Sequence, residues 1–162
     1  MEYVYSMGFK VFSDDLSSIG LSEPARVLST ISPNSYGIST RDAAFETSLK
    51  KADYLVLDGV YFSLASILMN RQNIRRNQGP DVFRHFMERM NREKGRVFFM
   101  GSTEAVLEKM KVQAAREYPE LEVGYHSPPY KPEFTREDNQ VIIDKINAFS
   151  PDIVFVGMTC PK

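Results

Sequence analysis

The sequence predicts an α/β domain in which a mainly parallel sheet is flanked by helices, and three observations predict it. Short apolar runs recur along the 162 residues. Segments with apolar residues at steps of three and four lie between them. Tyr54-Leu55-Val56-Leu57, Val97-Phe98-Phe99-Met100 and Ile153-Val154-Phe155-Val156 are apolar without alternation, the pattern of strands covered by helices on both faces.

In chain order, the first expected strands are Tyr3-Val4-Tyr5 and Val27-Leu28. Ser39-Thr40-Arg41-Asp42 offers a capping box, Ser39 with Asp42, opening a helix that runs to about Lys51. Tyr54 to Leu57 forms the third strand. Gly79-Pro80-Asp81 then puts a proline in a first helical turn and a carboxylate near its positive end. Phe83, Phe86, Met87 and Met90 give that helix one apolar face. Val97 to Met100 is the fourth strand, and Val106, Leu107, Met110 and Ala114 form the next helix, ahead of Pro119. Leu121-Glu122-Val123 is the fifth strand. Ser127-Pro128-Pro129-Tyr130-Lys131-Pro132 is irregular, a surface connection or a lid. Thr135-Arg136-Glu137-Asp138 is a second capping box, and Ile142, Ile146 and Phe149 make its helix amphipathic. Ile153 to Val156 closes the series. Strict alternation of strand and helix implies right-handed crossovers and one three-layer Rossmann-like domain over residues 1–162.

Composition narrows the function. Lys and Arg total 20 against 21 Asp and Glu, a net charge of −1, which argues against a nucleic-acid binder relying on a basic field. Apolar residues at 43% and charged residues at 25% are those of a globular chain. No apolar run is long enough to span a bilayer, and Met1-Glu2-Tyr3 lacks the start of a signal peptide. One cysteine, Cys160, excludes an internal disulfide framework, and with two histidines it makes a Cys/His zinc site a poor fit. The expectation is a cytoplasmic protein.

In an open parallel sheet, ligands bind beyond the carboxyl ends of the strands. That singles out Ser32-Pro33-Asn34-Ser35, Asp58-Gly59, Gly101-Ser102-Thr103 and the stretch from Gly157 to Lys162. The common α/β chemistries are absent. No two glycines are two apart, so there is no G-x-G-x-x-G, and neither a P-loop nor a G-x-S-x-G is present. Cys160 has no histidine placed beside it. His85 lies within an amphipathic helix and reads as structural, whereas His126, after a strand, could touch a ligand. Asp58 is open to two readings, a helix cap or a catalytic base. Arg76 is either part of a solvated charge run or a bidentate partner for an anion.

Taken in order, these motifs resemble a family. Ser32-Pro33-Asn34-Ser35-Tyr36, Ala52-Asp53, Leu57-Asp58-Gly59 and Arg76-x-x-Gly79-Pro80-Asp81-x-Phe83 resemble the WecG/TagA/CpsF glycosyltransferases. Arg96-Val97-Phe98-Phe99-Met100-Gly101-Ser102, Tyr118-Pro119-x-Leu121, Ile146-Asn147, Pro151 to Gly157 and Pro161-Lys162 continue the likeness over essentially the whole chain. The resemblance implies an inverting, metal-independent transferase that takes N-acetylmannosamine or a related sugar from a UDP-sugar donor, with no cofactor. It implies a polyprenyl-diphosphate-linked sugar acceptor and a peripheral location at the inner face of the cytoplasmic membrane, in teichoic acid, capsule or related polysaccharide synthesis. By motif position Asp58 matches the base. Asn34 and Arg76 match active-site residues, and Ser32 stands where many members have threonine. Gly59, Gly101, Ser102, Tyr130, Gly157, Pro161 and Lys162 complete the expected substrate-binding set, with no metal ligand and no nucleic-acid partner. A homo-oligomer is compatible with this reading.

Three departures from the family pattern stand out. Its G-x-P-x-Q-E ending and following segment are not matched beyond Lys162, its H-G-Y-F loop is here Ser127-Pro128-Pro129-Tyr130, and the region between Phe12 and Ala25 is short. The 162-residue form is therefore expected to bind UDP and membranes weakly and to transfer sugar poorly or not at all. Two rival readings are a nucleotide-sugar-binding domain without transferase activity and a flavodoxin-like binding domain. UDP binding and sugar transfer separate the three.

Overall fold

In the computed structural model, which describes residues 1–21, 24–59, 74–75 and 77–158, seven strands and five α-helices are present. The chain divides into two compact units, Met1–Arg84 and His85–Cys160. Mixed α/β structure with parallel strand pairs flanked by helices is the architecture expected from the sequence.

The first unit opens with an antiparallel hairpin, β1 (Tyr3–Ser6) and β2 (Phe9–Phe12). The sequence reading expected β1 but not β2, so strand and helix do not alternate strictly at the start. The hairpin turn is Met7-Gly8, with φ of 50° and 82°. Two positive φ values are what a two-residue hairpin loop matching the strand twist demands, and glycine takes one of them without cost. Val4, Phe9 and Val11 point into the core while Tyr5 and Lys10 face solvent.

Next come β3 (Leu28–Ile31) and β4 (Tyr54–Leu57), paired in parallel with Leu28 opposite Tyr54 and Ile31 opposite Leu57. All four residues of β4 are buried, as a run apolar on both faces requires. Ile31, Leu55 and Leu57 join Val4, Phe9, Val11, Leu49 and Ile74 in one apolar cluster. Phe12 meets Tyr54 edge to face, 5.4 Å between ring centroids.

Between these strands lie α1 (Pro33–Ser39) and α2 (Ala43–Lys51). Helix α1 was read from the sequence only as a loop tip. It forms because Ser32 and Ser35 make a reciprocal cap with proline at the first helical position. The capping box assigned to Ser39 and Asp42 is corrected accordingly. Ser39 ends α1 and is buried, and Asp42 alone caps α2, accepting the Phe45 N–H at 2.9 Å. Helix α3 (Gly79–Glu93) starts where Gly79-Pro80 predicted, and the boundary between units falls within it.

The second unit is a three-stranded parallel sheet in the order β6-β5-β7, with β5 (Arg96–Gly101) between β6 (Glu122–His126) and β7 (Ile153–Gly157). Val97, Phe98, Phe99 and Met100 are all buried. Helix α4 (Glu104–Glu117) joins β5 to β6, and α5 (Arg136–Phe149) joins β6 to β7. The expected box on α5 is present. Asp138 N–H donates to Thr135 Oγ1 at 3.2 Å, and Thr135 N–H to Asp138 Oδ2 at 2.7 Å. Ile142 packs with Phe98 and Met100 against Ile146, Phe149 and Val154. The outer strand β7 is less covered than its apolar sequence implies, with Val156 60% exposed.

At the end of β5, Gly101 has φ 114°, and a Cβ there would clash with the Gly157 carbonyl oxygen. No rotamer relieves a clash with backbone, so Gly101→Ala should cost about 2–4 kcal/mol through strain and overpacking. Gly37, inside α1 with nothing within 4 Å of its Cβ position, gives the opposite expectation. Gly37→Ala should stabilise by about 0.5–1 kcal/mol. Urea midpoints of the two variants check both signs.

Candidate functional site

The strongest convergence of site residues in the first unit follows from β3 and β4 running side by side. The ladder ends with Asp58 N–H donating to Ile31 O at 2.9 Å. Ser32 and Asp58 therefore leave the sheet together at its carboxyl edge. Asp58 is half-buried, and among the described residues no hydrogen bond or ion pair engages its carboxylate. Gly59 follows with φ 108°, and its Cβ position is 3.6 Å from Pro33 Cδ. The positive φ turns the chain sharply at a point where a side chain would be strained. Asn34 is exposed in the first turn of α1. On the far side, Asp58 Oδ2 lies 3.8 Å from the Cβ position of Gly79, the first residue of α3. Ser32, Asn34, Asp58 and Gly59 are thus brought together around two helix starts.

The Ser32 hydroxyl already has work in the fold. It accepts the Ser35 N–H at 3.2 Å, while Ser32 N–H donates to Ser35 Oγ at 2.7 Å. Any ligand contact made by this oxygen is shared with the cap. Arg76, Cys160, Pro161 and Lys162 lie outside the described residues.

Sequence reasoning missed the residues that hold the approach to α3. Arg75 N–H donates to Ser13 Oγ at 2.9 Å, and Asn77 Nδ2 donates to the Asp14 carbonyl at 3.0 Å. The Arg75 guanidinium pairs with Asp15. Asn77 is 3% exposed. Nothing local marks these residues, because their partners lie about sixty positions away.

In the second unit, Gly101 and Gly157 pair across the ends of β5 and β7. Ser102 follows with φ 64°, a left-handed conformation, and Thr103 begins α4 without a side-chain cap bond. The Ser102 carbonyl accepts from Ser127 Oγ at 2.8 Å. Gly101, Ser102 and Gly157 therefore share one edge. Tyr130 does not join them, its side chain standing 99% exposed in the proline-rich connection.

His126 ends β6 opposite Met100. Lys145 Nζ lies 3.1 Å from its Nδ1, and among the described residues Nε2 is enclosed without a hydrogen-bond partner. Burial first, and then the Lys145 charge, push the imidazole pKa below its ordinary 6.5, against a smaller pull from Glu104. Tyr125 donates to Glu108 at 2.6 Å, which with its charge pushes the phenol up to about 12. Among the described residues, no three His, Cys, Asp or Glu side chains group as metal ligands, and no helix is long and apolar enough to cross a membrane.

Because His126 binds its proton less tightly folded than unfolded, its contribution is present above about pH 6.5 and lost as pH falls through the folded value. Urea midpoints between about pH 7.5 and about pH 5 should decline on this account, and His126→Gln should flatten that part of the profile. Lys145→Ala should raise the imidazole titration midpoint, read by NMR, toward its ordinary value.

The chain is similar to several bacterial enzymes. The profile described as "Glycosyl transferase WecG/TagA/CpsF family" matches residues 8–162. A protein of Bacillus spizizenii (strain ATCC 23059 / NRRL B-14472 / W23) named N-acetylglucosaminyldiphosphoundecaprenol N-acetyl-beta-D-mannosaminyltransferase is 30% identical over 118 residues, 73% of this chain and 44% of the relative. Identically named proteins of Bacillus subtilis (strain 168) and Staphylococcus aureus (strain NCTC 8325 / PS 47) are 26% and 24% identical, over 83% and 82% of this chain and 51% and 50% of the relatives. The chain spans about half the length of the curated relatives it matches. With a family profile covering all but its first seven residues, and with the α/β fold that the family motifs implied, this chain belongs to the WecG/TagA/CpsF family of glycosyltransferases.

Proposed function

We propose that the chain forms one glycosyltransferase catalytic domain. It moves N-acetylmannosamine or a closely related sugar from a UDP-sugar to a lipid-linked N-acetylglucosamine on a polyprenyl diphosphate carrier. The observation that carries the reading is the half-buried Asp58 at the carboxyl end of β4, beside the start of α1 and against Gly79 at the start of α3. The shared acceptor named in the relatives supports the substrate class.

In this mechanism an acceptor hydroxyl attacks the anomeric carbon, the bond to UDP breaks, and Asp58 takes the hydroxyl proton. A sugar hydroxyl is a poor nucleophile until a positioned base removes its proton in the transition state. A single displacement from the face opposite UDP inverts the anomeric centre. Charge developing on the diphosphate is met by Arg76, since preorganised donors act where charge develops. Ser32, Asn34 and Gly59 complete the substrate contacts in the first unit, and motif position alone gives Gly101, Ser102, Tyr130, Gly157, Pro161 and Lys162 as further substrate-binding residues. The sequence contains no D-x-D to hold a metal–diphosphate complex, so the transfer is assigned no metal. The lipid-linked acceptor implies work at the inner face of the cytoplasmic membrane, with the protein peripheral to it.

Asp58→Asn should lower transfer at least ~10²-fold, the scale of general base catalysis, with UDP affinity and melting temperature near those of the parent. Unchanged turnover would leave Asp58 a structural residue. Calorimetry should detect UDP binding in excess EDTA, and binding only after manganese is added would overturn the metal-free mechanism.

A further inference from the structure

We propose that Ser13, Asp15 and Asn77 are positioning residues that hold the opening turn of α3 against the Asp58 carboxylate. The inference rests on the reading of Asp58 as the base. Residues 13–15 are joined at three points to Arg75 and Asn77, about sixty positions later in the chain. Ile74 is 2% exposed in the core cluster with Val4, Phe9, Val11, Ile31, Leu55 and Leu57. Arg75 N–H bonds to Ser13 Oγ, the Arg75 guanidinium pairs with Asp15, and Asn77 Nδ2 donates to the Asp14 carbonyl.

The receiving loop is itself tied down. Ser13 N–H donates to Glu2 O at 3.0 Å, and Asp14 Oδ2 accepts the Glu2 N–H at 3.2 Å. Asp14 Oδ1 accepts the Asp15 N–H at 2.7 Å, and Asp15 Oδ1 accepts the Ser17 N–H at 2.9 Å, capping a short 3-10 turn over Leu16–Ser18. These backbone bonds hold the Asp14 carboxyl below its usual range. A loop so constrained can locate whatever docks on it.

What docks is the entry to α3. Only Gln78 separates Asn77 from Gly79, and the Gln78 carbonyl accepts the Val82 N–H at 2.9 Å, the first helical bond across the junction. A Cβ added at Gly79 would meet Asp58 Oδ2 at 3.8 Å, so the bare glycine backbone stands beside the carboxylate with no side chain between them. Moving the helix start outward opens a gap beside the carboxylate, and moving it inward crowds it. Misplacement of reacting groups by about 1 Å can cost up to 10²-fold in rate. A buried asparagine amide on a backbone carbonyl suits this role because the bond's geometry is specific and its loss leaves a buried polar group unpaired.

The experiment compares Asn77→Ala, Asp15→Ala, Asp15→Glu and the exposed control Lys51→Ala, each alone and Asn77→Ala also with Asp58→Asn. Expected are Val82 amide hydrogen exchange at least ~10-fold faster and kcat at least ~10-fold lower in Asn77→Ala, with donor KM within about twofold. Asp15→Ala should show a smaller loss that Asp15→Glu restores, and Lys51→Ala should match the parent. Combined with Asp58→Asn, Asn77→Ala should cost no further activity, because it acts through that carboxylate. Unchanged Val82 exchange, faster exchange with unchanged kcat, or a loss additive with Asp58→Asn each overturns the proposal. Should the unsubstituted chain neither bind UDP nor transfer sugar, the glycosyl-transfer reading fails instead, and the exchange arm still decides whether the clamp holds the helix start.

Discussion

The parallel ladder between β3 and β4 is the constraint on which the first unit's site depends. Its last rung, Asp58 N–H to Ile31 O at 2.9 Å, ends the sheet and releases two chains at the same level. Side chains alternate along a strand, so a slip of one residue would turn Asp58 to the other face. With all four β4 residues buried, such a slip would also draw a flanking aspartate, Asp53 or Asp58, into the apolar layer, which is costly. The register of an apolar strand thereby sets the position of the one carboxylate at its tip.

The turns at that tip follow from the same geometry. Two strands so close leave little room where they exit, and small or conformationally permissive residues fill it. Gly59 turns at φ 108° with its Cα hydrogen toward Pro33, and Pro33 starts α1 at once because Ser32 and Ser35 satisfy its opening donors. The second unit solves the same problem with Gly101 opposite Gly157, where the backbones approach too closely for any side chain. Ser102, left-handed at φ 64°, carries a backbone cost of about 1–2 kcal/mol. Both sheets thus present backbone rather than bulky side chains at their carboxyl edges, a surface suited to polar ligands approaching closely.

Two polar contacts in the first unit are made across a long sequence separation. Asn77 on the Asp14 carbonyl and Ser13 on the Arg75 amide are bonds of segments with no regular structure of their own. They do there what a ladder does in the sheet. An irregular segment keeps one conformation only when its backbone groups have fixed partners.

Much was determined by the sequence alone. The apolar runs at 54–57 and 97–100 became buried strands because an uninterrupted apolar stretch has nowhere to go but between covering layers, and the run at 153–156 became a strand beside the second of them. Gly79-Pro80 and Thr135 with Asp138 opened helices because capping is a bond between near neighbours, written in four consecutive residues. Asp58, Gly59, Gly101 and Gly157 were legible as strand ends for the same local reason. What is not local was decided by the tertiary structure. Phe9–Phe12 became a strand only through pairing with Tyr3–Ser6 around Met7-Gly8. Ser39 lost its cap to Asp42 because Pro33 had already begun a helix that ends at Ser39. Tyr130 was left in solvent while Asn77, an unremarkable polar residue in sequence, was buried at 3% exposure. Capping, periodicity and turn chemistry act within a few residues and can be read along the chain. Which polar group meets which carbonyl across sixty residues is settled only when the core closes and excludes the water that would otherwise serve them both.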